Sequence, residues 1–239
     1  MQTIVLVSGW AMPACSLCAL TCELQTRGHN VATMALSDAD SANWHDLMAA
    51  LEHRVGDQQV VLVGWSLGGN LCMRYAGLRP NRISAVVTLA STPCFVVEPG
   101  WPAGMDTHTW QRFMGKAEEN IEQAMAEFVY LTARHAENEK KTFRLLHREA
   151  MATATHRLKW SAMLALLAED ARSHWQAVSA PVHHLLAEGD LLTRPATAAL
   201  LQSHFPAQKV SIVPGSHALF VDHAKSITDL INTLALEAQ

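Results

Sequence analysis

Short, nearly continuous apolar runs recur along the chain, and most are followed by a stretch whose apolar residues return every three or four positions. The runs lie at residues 3–7, 31–36, 60–63, 83–89, 182–186 and 210–213. Unbroken β-branched and aliphatic residues over such lengths predict strands covered on both faces. The helical spacing between them predicts helices at 13–27, 42–54, 71–79 and 195–204, and from Asp222 onward. Pro13 suits a first helical turn, and Gly28 ends that helix. Alternation of this kind implies a parallel sheet with crossover helices. It breaks after Ser91-Thr92-Pro93. From 99 to 178 no strand pattern occurs; Pro99, Gly100, Pro102 and Gly104 lead into amphipathic helices predicted at 106–115, 117–133, 137–151 and 155–170. The predicted organisation is a mostly parallel, doubly wound α/β core of residues 1–98 and 179–239, interrupted by a helical cap at 99–178.

Composition narrows the setting. With 49% hydrophobic and 17% charged residues, the 239-residue chain reads as one globular core with an insertion. A net charge of −4 gives no reason to expect nucleic acid. Five cysteines, an odd number, suit free thiols in a reducing compartment. The stretch from Ile4 to Leu20 is apolar enough to imitate a signal peptide, but no Lys or Arg precedes Arg27 and Pro13 interrupts it. No apolar run approaches the ~20 residues that span a bilayer. The expectation is a cytoplasmic monomer without a membrane partner.

The chemistry centres on Gly64-Trp65-Ser66-Leu67-Gly68-Gly69, which follows the run 60–63 directly and opens a helix. A strand, a sharp Gly-x-Ser-x-Gly turn and a helix make a nucleophile elbow. The turn strains the serine backbone and presses its neighbours together, so residues without a Cβ flank it. A serine hydroxyl needs a base to take its proton, and the base needs a group to orient it. On open parallel sheets such groups lie beyond the carboxyl ends of strands. Asp190, in Ala187-Glu188-Gly189-Asp190 after the run 182–186, meets this condition as the acid; Glu188 is its local rival, and an aspartate that only caps backbone is the plain alternative. Among thirteen histidines, only His217 follows the last strand in a glycine-containing loop, which makes it the expected base. The Leu67 amide and the Trp10 amide in Ser8-Gly9-Trp10-Ala11 are placed to hold a developing oxyanion.

Together these residues resemble the α/β-hydrolase fold and, within it, the pimeloyl-carrier-protein methyl ester esterases of biotin synthesis. The likeness runs nearly end to end. It includes Gly9-Trp10, the Gly64–Gly69 elbow, Leu89-Ala90-Ser91-Thr92-Pro93-Cys94-Phe95, Trp101-Pro102, Asp190, and His217 followed by Phe220. The segments at the cap entrance are more telling than the elbow, which identifies only the superfamily. The resemblance implies hydrolysis of the methyl ester of pimeloyl-acyl carrier protein through a Ser66–His217–Asp190 acyl-enzyme mechanism, with no metal or organic cofactor. It also implies an apolar acyl channel between core and cap, with Trp10, Trp65 and Phe128 as candidate walls, and basic cap residues meeting the acidic carrier. Ser8-Gly9 stands where relatives usually carry His-Gly, and the sequence opens directly on the oxyanion strand. Both departures leave room for a general short-chain carboxylesterase or thioesterase acting on small esters. An intact Ser/Asp/His set argues against a non-catalytic binding module.

Charge supports the carrier idea separately. Between Arg134 and Lys159, seven Lys/Arg face three acids, a net +4 in a chain whose total is −4. Lys140, Arg144 and Arg148 recur every four residues on one helix face, fit to steer an acidic partner or simply to be solvated. Glu127, beside Phe128, falls where relatives tend to be basic. Cys15, Cys18 and Cys22 have the spacing of one helix face and read as core packing, since no ligand set sits nearby. The stripe Leu158, Met163, Leu164, Leu166 and Leu167 suits an acyl channel or ordinary helix packing. His183-His184 lies within a strand, so at least one of the two should face the core.

Overall fold

The apolar runs become six parallel strands: β1 (Thr3–Val7), β2 (Asn30–Met34), β3 (Val60–Trp65), β4 (Ile83–Leu89), β5 (Val182–Ala187) and β6 (Lys209–Val213). The computed structural model describes residues 1–237. The strands lie side by side in the order β2-β1-β3-β4-β5-β6. Every residue of β3 is buried, whereas the edge strands β2 and β6 keep partly exposed positions, as central and peripheral strands should. The chain builds outward from β1 to β2, then returns to β3 and builds the other way. Connections leaving β1 and β3 therefore diverge, and a crevice opens at the carboxyl ends of these two neighbours.

The core helices are α1 (Cys18–Thr26), α2 (Trp44–Val55), α3 (Leu67–Leu78), α9 (Thr197–His204) and α10 (Leu219–Glu237). Between β4 and β5 lie α4 (Thr107–Glu119), α5 (Ile121–Ala133), α6 (Glu139–Ala152), α7 (Arg157–Leu167) and α8 (Arg172–Gln176). Side-chain caps set several boundaries. Asp106, Asn120 and Asn138 accept the amides of Thr109, Gln123 and Lys141, each satisfying an N–H that the first turn leaves unpaired. Asn120 is why the break expected at 116 falls four residues later. The five-residue α8 is too short to show a period. The last helix begins at Leu219, before the expected Asp222, and kinks at His223.

Chain entry to and exit from this helical insert lie side by side. Ala171 N donates to Pro93 O at 2.9 Å, Cys94 Sγ lies 3.3 Å from Asp170 Oδ1, and Arg172 Nη1 donates to Pro99 O at 2.9 Å. Among the described residues no helix is long and apolar enough to cross a membrane.

One expectation about packing is overturned. Cys15, Cys18 and Cys22 are exposed, not core residues. The buried face there carries Leu17, Leu20 and Leu24. The two triplets share one spacing but stand two residues apart, about 200° around a helix. Only one can face the sheet, and leucine, with more apolar surface to bury, takes that side.

Both histidines of β5 are buried, and His184 is the one wholly shielded from solvent. It stacks on Trp175 at 4.8 Å, accepts from Thr88 Oγ1 at 2.7 Å and donates from Nε2 to Gln208 Oε1 at 2.7 Å. A neutral ring satisfies both partners, and burial pushes its pKa down to about 4. The unfolded chain then binds this proton first, near pH 6.5, so the contribution to stability is complete above that pH and is lost on acidification toward 4. About 2 kcal/mol of it should be gone by pH 5. Urea midpoints measured at pH 7.5 and 5 should show this drop, and His184→Gln should flatten it. An equally steep acid dependence in the variant would assign the drop to other groups.

Candidate active site

Ser66 sits between β3 and α3 with φ 55° and ψ −122°, a left-handed conformation that only close packing sustains in a residue with a side chain. The packing is visible in the glycines. A Cβ on Gly64 would lie 2.5 Å from Gly68 O, and one on Gly68 would lie 2.4 Å from Ser8 O. The turn is further held by Ser66 N donating to Leu89 O at 2.9 Å and by Ser91 Oγ donating to Ser66 O at 2.7 Å. Ser66 Oγ makes no hydrogen bond to any described residue, and Ser66 lines an apolar cleft.

Asp190 and His217, carried by the loops after β5 and β6, form a direct pair: His217 Nδ1 lies 2.8 Å from Asp190 Oδ2, and both side chains are fully buried. The other carboxylate oxygen, Oδ1, accepts the Leu192 and Thr193 amides at 2.8 and 2.9 Å. With Oδ1 so engaged, Oδ2 faces the imidazole. His217 therefore carries its proton on Nδ1, and its Nε2 is buried without a hydrogen-bond partner. It is not bonded to Ser66 Oγ; in serine hydrolases this contact commonly tightens only with substrate in place. Glu188, the local rival for the acid, is exposed.

Trp65 does not line the cleft, contrary to expectation. It is wholly buried beneath the histidine loop, where Nε1 donates to His217 O at 3.0 Å and its ring packs edge-on against Phe220 at 4.7 Å. As the last residue of a strand covered on both faces, its direction could not be read from alternation. Its place is that of a support for the imidazole, with ring centroids 5.8 Å apart.

The loop after β1 runs over the elbow, since a Cβ on Gly9 would lie 3.3 Å from Ser66 Cβ. Ser8 Oγ donates to Met12 O at 2.8 Å, and Ala11 is held at φ 58°. Among the described residues, the Trp10 and Leu67 amides donate to no other protein atom. The Leu67 amide also heads α3, where unpaired N–H groups and the helix dipole favour negative charge. An oxyanion at Ser66 would need two such unpaired backbone donors beside it.

The cleft is narrow, with a cavity volume of about 50 Å³. Trp10 and Phe128 meet edge to face at 5.2 Å in its wall, and Phe95, Phe113, Leu164 and Leu192 continue it. Of the 158–167 stripe, Leu164 and Leu167 face the cleft, Met163 packs in the core and Leu158 is exposed. Among the described residues no charged side chain lines this cleft, so it suits an uncharged aliphatic chain. Among the described residues no group of three or more His, Cys, Asp or Glu is arranged to hold a metal ion.

On α6, Lys140, Arg144 and Arg148 are exposed and make no ion pair among the described residues. Other members of the cationic segment are engaged internally. Arg134 pairs with Glu139, and Lys159 Nζ donates to Ser37 O and Ala39 O of the core. Glu127 pairs with Lys116. The sequence offered no signal for His135, which stands at φ 67° between α5 and α6 with Nδ1 2.8 Å from Gly189 O, beside the acid. Thr193 and Leu192, which seat Asp190, follow it within three residues, the spacing of an Asx turn.

Comparison with known proteins matches residues 26–224 to the alpha/beta hydrolase fold family. A pimeloyl-[acyl-carrier protein] methyl ester esterase from Aeromonas salmonicida is 30% identical over 177 residues, covering 73% of this chain and 69% of its own. One of the same description from Yersinia enterocolitica is 26% identical over 98% of this chain and 93% of its own. Among solved structures, a bromoperoxidase from Bacillus anthracis superposes with a TM-score of 0.83 at 21% identity, covering 98% of this chain and 91% of that one. That last likeness concerns the fold alone.

Proposed function

The chain belongs to the alpha/beta hydrolase fold family and, within it, to the pimeloyl-[acyl-carrier protein] methyl ester esterases, and we propose that it performs their reaction through Ser66, His217 and Asp190. It is a carboxylic ester hydrolase of biotin synthesis whose substrate is the methyl ester of pimeloyl-acyl carrier protein. The observation that carries the catalytic assignment is the buried 2.8 Å Asp190–His217 pair, which leaves Nε2 as the acceptor at the rim where the elbow raises Ser66.

In this reading Ser66 Oγ attacks the ester carbonyl while His217 Nε2 takes its proton. The carbonyl oxygen becomes negative against the Leu67 and Trp10 amides. His217 then returns the proton to the departing oxygen, methanol leaves, and an acyl-enzyme remains. Water, deprotonated by the same Nε2, attacks that acyl group and releases the carboxylic acid and the serine. Asp190 keeps the proton on Nδ1 throughout. The apolar cleft takes the acyl chain, and the carrier protein docks outside it on α6. Five free cysteines fit a reducing cytoplasm.

The deciding experiment is turnover of pimeloyl-acyl carrier protein methyl ester by the purified protein, read by mass. Free acid should form. Cleavage of p-nitrophenyl esters with the carrier-bound ester left intact would leave a general esterase. Docking on α6 is tested by Lys140→Glu combined with Arg144→Glu. At low salt this reversal should raise KM for the carrier-bound ester ~10-fold or more, while KM for p-nitrophenyl butyrate stays within about twofold. Equal losses on both substrates would reduce the stripe to a solvated helix face.

A further inference from the structure

A closed run of buried hydrogen bonds joins the loop after β1 to the helical insert. Trp10 Nε1 donates to Trp160 O at 2.7 Å. Trp160 Nε1 in turn lies 3.1 Å from both the carbonyl and the hydroxyl oxygen of Thr153. That hydroxyl is 3.1 Å from Ala11 O and 2.8 Å from Ala150 O, with one proton to share between them. The circuit thus leaves the core at Trp10 and comes back at Ala11, the next residue along. All four residues are buried. Lys159, beside Trp160, pins the same turn of α7 to the core through Ala39 O at 2.6 Å.

A buried indole or hydroxyl needs some partner, and that need accounts for each bond singly. It does not account for both ends landing on consecutive residues of one short loop. Nor does it account for Ala11 at φ 58°, a conformation that persists only where the surroundings fix it. Trp10 is also the residue whose amide serves as an oxyanion donor in the reading above, on which this inference rests.

We propose that the insert sets the oxyanion hole through this circuit, making Thr153 and Trp160 positioning residues for the reaction. The insert is then more than a wall for the acyl chain. An ester too short to touch the cleft still depends on α7, because α7 holds the loop that receives the negative charge.

The test uses p-nitrophenyl acetate with Thr153→Val and Trp10→Phe, the latter keeping the backbone amide but lacking the indole N–H. Each should lower kcat ~10-fold, a fraction of the ~10²–10³ that outright loss of an oxyanion donor costs, with KM within about twofold. Inhibition by an aliphatic trifluoromethyl ketone, whose hemiketal places an oxyanion in the same hole, should weaken by the same factor. Thr153→Ser, which keeps the hydroxyl, should restore wild-type kcat. Wild-type kcat in folded Thr153→Val and Trp10→Phe, or a rise confined to KM, would overturn the proposal; if Thr153→Val does not fold, Trp10→Phe decides alone. Labelling of wild-type Ser66 by a fluorophosphonate is the separate check. An unlabelled serine would sink the triad reading, whereas a labelled one with unaffected variants sinks only the circuit.

Discussion

Ser66→Ala should lower kcat on any ester by ~10⁶ while leaving the melting temperature close to that of the wild type. The two halves of this expectation come from different features. Activity is lost because the elbow then carries no hydroxyl for the imidazole to deprotonate. The fold is spared because Ser66 Oγ makes no hydrogen bond that its removal would orphan, and the bonds holding the turn use its backbone N–H and C=O. Alanine inherits the same left-handed strain. A residual rate of ~10³–10⁴ over water would still be expected from the oxyanion donors and binding alone. A variant that keeps a tenth of its activity would show that another group is the nucleophile.

Asp190→Asn should cost ~10⁴ in kcat, through the proton and not through the fold. The Leu192 and Thr193 amides both point at Oδ1. An asparagine in this seat must place its carbonyl oxygen there, since its amide group would set donor against donor. Its NH₂ then faces His217 Nδ1, which can only accept. The imidazole proton moves to Nε2, the atom that must be free to take the serine proton. Geometry is retained and the base is blocked. Kinetics on p-nitrophenyl acetate, paired with the ¹⁵N shifts of the His217 ring, check both statements; a ring still protonated at Nδ1 would refute the argument.

Much of this arrangement was legible in the chain, for reasons tied to particular residues. The run 60–63, the glycines at 64 and 68 and the apolar helix behind them admit few geometries, because a Cβ at either glycine would overlap backbone. Asp190 and His217 could be chosen because each directly follows an unmistakable strand. What escaped were directions and distant partners. Cys15, Cys18 and Cys22 share their period with Leu17, Leu20 and Leu24, and periodicity alone does not say which face wins. Trp65 ends a strand buried on both sides, so nothing in its neighbours told which way the indole points. The contacts of Trp10 with Trp160 and of His135 with Gly189 join residues 150 and 54 positions apart, and neither has a local signature.

The paired entry and exit of the helical insert carry a consequence for how such a molecule diversifies. Pro93 and Ala171 are bonded neighbours, so the excursion between them begins and ends at one point on the sheet. A different excursion with the same two feet would be grafted without moving any strand or either loop bearing the acid and the base. Yet a wholesale exchange would also discard the carbonyl of Trp160 and the hydroxyl of Thr153. Transplanted specificity in this architecture should therefore come with slowed chemistry unless those two contacts travel with it.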